Sequence, residues 1–178
     1  MSYLNIEIKA RCPNPQKIRQ YLLSKGADYR GTDTQTDTYF NVPEGRLKLR
    51  EGNIENNLIF YKRQNQTGPR DSQFHLSKTN DPNSLRELLT ECLGVKTAVV
   101  KKREIYYIQN VKFHIDSIEG LGSFVEIEAG NVLADLSRDV LAEQCDFYVK
   151  EFGIEEKDFV EYSYSDLILA NEEAGVNE

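Results

Sequence analysis

Leu-Asn-Ile-Glu-Ile-Lys-Ala-Arg, residues 4 to 11, alternates without a break. Leu4, Ile6, Ile8 and Ala10 fall on one side of an extended chain, and Asn5, Glu7, Lys9 and Arg11 on the other. Side chains repeat every two residues only in a strand, so this stretch is a β-strand with one apolar and one charged face. One such strand is commonly the wet side of an ordinary sheet. Here the pattern recurs. Arg46, Lys48 and Arg50 alternate with Leu47 and Leu49. Lys101 and Arg103 share a face, as do Lys112, His114 and Asp116, and Phe124, Glu126 and Glu128 oppose Val125, Ile127 and Ala129. Lys62 closes a strand that is apolar on both sides and is grouped with Leu58 and Phe60.

Helices fall between these strands. Asn14 caps one, with Pro15 in its first turn and Ile18 and Leu22 on its apolar stripe; Asp81 and Pro82 open a second, striped by Leu85, Leu88, Leu89 and Leu93. A third is expected from Asp135 to Gly153, and a short last one from Ser163 to Ala170. Residues 28–36 read as polar turn before a strand at Asp37–Phe40, and residues 64–71 as a loop ending at Arg70 before a short strand at Gln73–Leu76. One domain, residues 1–170, is expected, with a disordered tail over 171–178.

The apolar helix stripes must cover something, and the apolar strand faces are the target. The charged faces then turn inward. A sheet curled into a barrel or tunnel with a charged lumen, flanked by helices, satisfies both demands: an α+β fold. The inward set is Glu7, Lys9, Arg11, Lys48, Arg50, Lys62, Lys101, Arg103, Glu126 and Glu128, with Asp116 beside it. Crowded like charges stripped of water are costly, so such a lumen calls for a ligand with several negative charges and a divalent cation. Lys and Arg suit phosphate oxygens; Glu126 and Glu128, two apart on a strand, suit Mg2+ or Mn2+. His114 has no His or Cys partner at a metal spacing and reads as a structural histidine.

Composition narrows the partners. A net charge of -7 argues against a general nucleic-acid binder. No apolar run approaches the length of a spanning helix, so no membrane partner is expected. Three scattered cysteines fit neither a zinc site nor a secreted disulfide framework, and no leader pattern opens the chain; a cytoplasmic location is the expectation.

The same residues resemble a known family. Asn5-Ile6-Glu7-Ile8-Lys9 is similar to the opening signature of the CYTH family, the triphosphate tunnel metalloenzymes. Asp37-Thr38-Tyr39-Phe40, Arg46 to Glu51, Lys101-Lys102-Arg103 and Gly120 to Glu128 resemble its later blocks in the same order. Phe113 to Asp116 and Ser163 to Ile168 look most like the class IV adenylyl cyclase branch. The resemblance implies an eight-stranded antiparallel β-tunnel. It assigns Lys9, Lys48, Arg50, Lys62, Lys101 and Arg103 to a triphosphate, with Arg11 and Arg70 as weaker candidates. It assigns Glu7, Glu126 and Glu128 to the metal, with Asp116 as a further acid near it. Glu7, Lys9, Arg50 and Arg103 are the residues expected to serve catalysis. Asn5 stands where the family signature has its first acid, which removes a charge from the metal site.

Two enzymatic outcomes share such a site. ATP could be cyclised to cyclic AMP and pyrophosphate, or inorganic or thiamine triphosphate hydrolysed to orthophosphate. A module that binds a triphosphate or polyphosphate without turnover is the alternative of another class. The class IV branch further implies a homodimer.

Overall fold

The structure is a computed structural model that describes residues 3–63, 65–131 and 135–175. Eight strands, β1 (Tyr3–Arg11), β2 (Asp28–Phe40), β3 (Arg46–Glu51), β4 (Asn57–Lys62), β5 (Arg70–Lys78), β6 (Val95–Ile108), β7 (Val111–Ile118) and β8 (Gly122–Gly130), close into a ring. The order around it is β1-β5-β4-β3-β2-β6-β7-β8, and all the pairings are antiparallel. Helices α1 (Pro15–Ser24), α2 (Pro82–Leu93), α3 (Arg138–Phe152) and α4 (Tyr164–Gly175) flank it among the described residues. None of them is long and apolar enough to cross a membrane.

The ring carries its main core on the outside. Ile6, Ile8 and Ala10 of β1, Phe113 and Ile115 of β7, and Val125, Ile127 and Ala129 of β8 are buried beneath Ile18 and Leu22 of α1 and Leu141, Cys145 and Phe152 of α3. Asn14 caps α1 by accepting from the Lys17 amide, with Pro15 in the first turn as expected. The strict alternation of β1 therefore has a packing consequence. Its apolar side meets the helices, and Asn5, Glu7 and Lys9 face the lumen.

Several elements differ from the sequence expectation. β2 is thirteen residues long and takes in the stretch read as turn. Asp33, Gln35 and Asp37 point to the buried side, while Thr32, Thr34 and Thr36 lie on the other, so no apolar periodicity marks it. β5 likewise begins at Arg70. α3 starts at Arg138, with Ser137 in place of Asp135 at its head: the Ser137 hydroxyl accepts from the Val140 amide. α4 runs to Gly175, past the point where a disordered tail was expected; residues 176–178 lie outside the described set. α2 has the capping anticipated at Asp81 but buries none of its residues, and Leu88 is 60% exposed.

α2 and α3 thus have opposite energetic roles. Leu141→Ala empties a fully buried position and is expected to cost about 2–5 kcal/mol. Leu88→Ala is expected to stay within about 0.5 kcal/mol. Urea denaturation of the two variants, followed by far-ultraviolet circular dichroism, measures both.

Candidate functional site

Antiparallel order sorts the strand ends onto two rims. One rim gathers the starts of β1, β4 and β7 and the ends of β3, β5, β6 and β8. Asn5, Asn57, Lys78, Tyr107 and Asn110 stand there and line the cavity. The other rim is filled. Tyr164, the first residue of α4, packs on Phe124 with ring centroids 5.0 Å apart, in an apolar cluster with Tyr39, Ile59, Tyr61 and Val99. Between the rims lies a cavity of about 750 Å3. Among the described residues its lining holds eight lysine and arginine side chains against five carboxylates, so a polyanion is the ligand that balances it.

The charges are wired in clusters. Asp37 is 1% exposed and accepts from three cations: Lys48 Nζ at 3.0 Å, Lys101 Nζ at 2.7 Å, and Arg50 through Nε at 2.9 Å and Nη2 at 3.0 Å. Glu7 accepts from Arg63 and from Arg70 Nε at 3.0 Å. Glu126 accepts from Arg103 Nη2 at 2.7 Å and lies 3.3 Å from Lys9 Nζ. Glu55, from the turn after β3, bridges Arg50 on β3 and Lys112 on β7 at 3.0 and 2.7 Å. Register explains several of these meetings: Glu7 pairs across with Arg70, Lys9 with Glu126 and Asp37 with Arg50.

The CYTH domain model matches residues 4–164. The chain belongs to the CYTH family. It is 26% identical over 182 residues to a Methanocaldococcus jannaschii protein named "putative adenylate cyclase", covering 92% of this chain and 98% of that one. Among solved structures, a Pyrococcus horikoshii protein superimposes with a TM-score of 0.76 at 24% identity, over 92% of this chain and 98% of its own. A Hippeastrum protein named "putative adenylyl cyclase" and described as having a dominant triphosphatase activity superimposes with a TM-score of 0.66 at 17% identity, over 94% and 96%. At these identities the superpositions speak for the fold.

In this CYTH tunnel, Lys9, Lys48, Arg50, Lys101 and Arg103 converge on the lumen, with Glu7, Glu126 and Glu128. Four expected residues stand elsewhere. Lys62 points outward, with a side chain 56% exposed and paired with Glu44 at 2.8 Å. Lys48 pairs across with Ile59, which puts Ile59, Tyr61 and Arg63 on the inner side and Lys62 on the outer. Arg11 is exposed at the filled rim, where Nη1 donates to the Leu121 carbonyl at 3.3 Å. Arg70 is buried behind Glu7 and also donates to the Glu161 carbonyl at 2.6 Å. Asp116 is fully buried and committed to Arg103 at 2.7 and 2.6 Å and to the Tyr164 hydroxyl at 2.7 Å.

Arg63, Lys78, Lys112, Asp37 and Glu55 are the charged lumen residues that sequence reasoning passed over. Lys112 shares its alternation with His114 and Asp116, which was a usable signal. Arg63 needed the β3–β4 register, and Glu55 lies in a turn.

Acidic ligands for a divalent cation are present. Glu126, Glu128 and His114 bring ligand atoms within 4.8 Å of one another. Two carboxylates at this spacing fit an oxygen-preferring ion. Glu7 lies outside that group. Asn5 also stands apart: a Cβ on Gly130 would fall 2.5 Å from its Oδ1, so the amide leans over the glycine opposite it.

Burial works against every charge here, and neighbours decide the outcome. It pushes Asp37 up, but Arg50, Lys101 and Lys48 together hold the carboxyl well below its usual range. Burial likewise opposes ionisation of Glu126, and Arg103 and Lys9 overcome it. Lys101 goes the other way. Burial lowers it to about 7, because its single anion, Asp37, is shared with competing cations while Arg103, Arg50 and Lys48 repel it. Lys9 is brought down to about 8 by burial, with Glu126 opposing and Arg63 and Arg70 adding to the fall.

Two outcomes follow. Asp37→Ala leaves Lys48 and Lys101 without their anion and Arg50 with Glu55 alone, and is expected to destabilise the empty protein by about 3–5 kcal/mol, with part recovered on adding inorganic triphosphate. Chemical denaturation with and without the ligand checks this. At pH 8 Lys101 is largely neutral, and an arriving phosphate favours its ammonium form. Binding should therefore take up protons at pH 8, far fewer at pH 6, where the lysine is already charged. Calorimetry in buffers of different ionisation enthalpy, with Lys101→Met as the reference for the ligand's own titration, reads the difference.

Proposed function

We propose that the protein is a divalent-metal-dependent enzyme that converts ATP to cyclic AMP and pyrophosphate. The observation that carries this reading is the convergence of Lys9, Lys48, Arg50, Arg63, Lys101 and Arg103 on one lumen beside Glu126 and Glu128. The name of the Methanocaldococcus relative supports cyclisation. So does the open rim, where Asn5, Asn57 and Tyr107 offer neutral hydrogen-bonding and stacking groups suited to a nucleoside.

In this reading the phosphates enter first and exchange places with the lumen's own carboxylates. Arg50 and Arg103 turn their paired N–H groups from Asp37 and Asp116 or Glu126 toward phosphate oxygens, with Lys9, Lys48 and Lys101 as point charges around them. These cations are held in position before the ligand arrives, so they can neutralise charge as it builds on the departing pyrophosphate. A magnesium or manganese ion at Glu126 and Glu128 would act as a Lewis acid on a phosphoryl oxygen. The ribose 3′-hydroxyl, placed toward the open rim, is the nucleophile at the α-phosphorus.

The test is a product assay with magnesium or manganese, offering ATP, inorganic triphosphate and thiamine triphosphate separately. Cyclic AMP with pyrophosphate is the expected result from ATP. Orthophosphate from a smaller triphosphate would replace the cyclase with a triphosphatase. Tight binding without product would leave a binding module. Lys9→Ala and Arg50→Ala are each expected to weaken triphosphate binding by about 1.5–3 kcal/mol by calorimetry, and unchanged affinity in both folded variants would remove the tunnel as the binding site.

A further inference from the structure

We infer that His114 supplies an imidazole nitrogen to the tunnel's divalent cation, making a site of one nitrogen and two carboxylates that favours manganese over magnesium. The inference rests on the metal-and-triphosphate reading above and adds a ligand to it.

Three observations carry it. His114 lies directly across the β7–β8 ladder from Glu126, and its Nδ1 is 3.1 Å from Glu126 Oε2 and 3.5 Å from Glu128 Oε1. Neighbouring ligands of a six-coordinate ion, each at about 2.1 Å, stand roughly 3 Å apart, so this spacing suits three ligands sharing one ion. The ring is 1% exposed, yet its Nε2 has no hydrogen-bond partner. Among the described residues no hydrogen bond holds that nitrogen, and the ring turns its other nitrogen to the two carboxylates. Finally, Glu7, the third ligand that the sequence suggests, lies outside this group and is held by Arg63 and by Arg70, which is buried off the lumen. The imidazole takes the place that this carboxylate leaves.

Glu126 is itself held by Arg103 and Lys9. A triphosphate draws those cations to its own oxygens and frees the carboxylate, so metal and polyanion should bind together. Manganese, the weakest of the first-row transition ions in the affinity order, still takes an imidazole nitrogen more readily than magnesium, which is held through oxygen. The nitrogen therefore sets the preference between the two ions.

Pulsed electron paramagnetic resonance on the full chain tests this, with Mn2+ and the α,β-methylene analogue of ATP. The expected spectrum shows phosphorus coupling together with coupling to a directly bound nitrogen, and the nitrogen signal changes when histidine is labelled with nitrogen-15. The chain has one other histidine, His75, exposed on β5, so His75→Gln should leave the signal intact and His114→Gln should abolish it. His114→Gln should also weaken Mn2+ binding about tenfold or more and Mg2+ binding much less, the loss usual for altering a metal site's shell. Phosphorus coupling without bound nitrogen in the unaltered protein would overturn the role of His114 and leave the tunnel reading standing. Absence of both couplings would overturn the two together. The labelled wild-type spectrum decides even if His114→Gln fails to fold.

Discussion

Buried charge held by opposite buried charge is the constraint on which this structure depends. Asp37, with Lys48, Arg50 and Lys101 around it, is the densest instance. In most domains the centre is apolar and charges face water. Here much of the apolar packing is moved outward, under α1 and α3, and the inside of the ring is left to ions. That inversion is stable only while each inward cation finds an anion, because an unpaired charge away from water costs several kcal/mol. The carboxylates are therefore part of the fold as well as of the site.

They also give the tunnel its readiness. Glu7, Asp37, Glu55 and Glu126 hold the guanidinium and ammonium groups around an open space instead of letting them repel one another across it. A polyanion entering that space does not have to gather its ligands; it replaces internal partners. The proposed chemistry uses this arrangement, since groups already oriented need little reorganisation as charge shifts along a phosphate chain.

Sequence alternation revealed the ring because strands with one apolar and one charged face leave few ways to satisfy both. β1, β3, β7 and β8 were legible on that ground. β2 was half hidden, since Thr32, Thr34 and Thr36 on one face and Asp33, Gln35 and Asp37 on the other carry no apolar contrast. β4 misled for the opposite reason: its lumen side contains Ile59 and Tyr61, so polarity pointed to Lys62 where register selects Arg63. Which charged residues of the regular strands face the lumen could be read from the chain, but their partners could not. That Glu7 is claimed by Arg63 and Arg70, or Asp116 by Arg103 and Tyr164, depends on contacts between distant segments that no local pattern records.

The apolar seal formed by Tyr164, Phe124 and Val99 at one rim turns the tunnel into a cul-de-sac. Traffic in a cul-de-sac is last in, first out. Under the proposed cyclisation, a nucleoside triphosphate that goes in phosphates first would leave its pyrophosphate at the dead end, behind the cyclic nucleotide. The cyclic product must depart before the pyrophosphate can, and pyrophosphate left behind would block the next substrate. Turnover in such a chamber is paced by how readily its innermost lysines and arginines give up their last anion to the returning carboxylates.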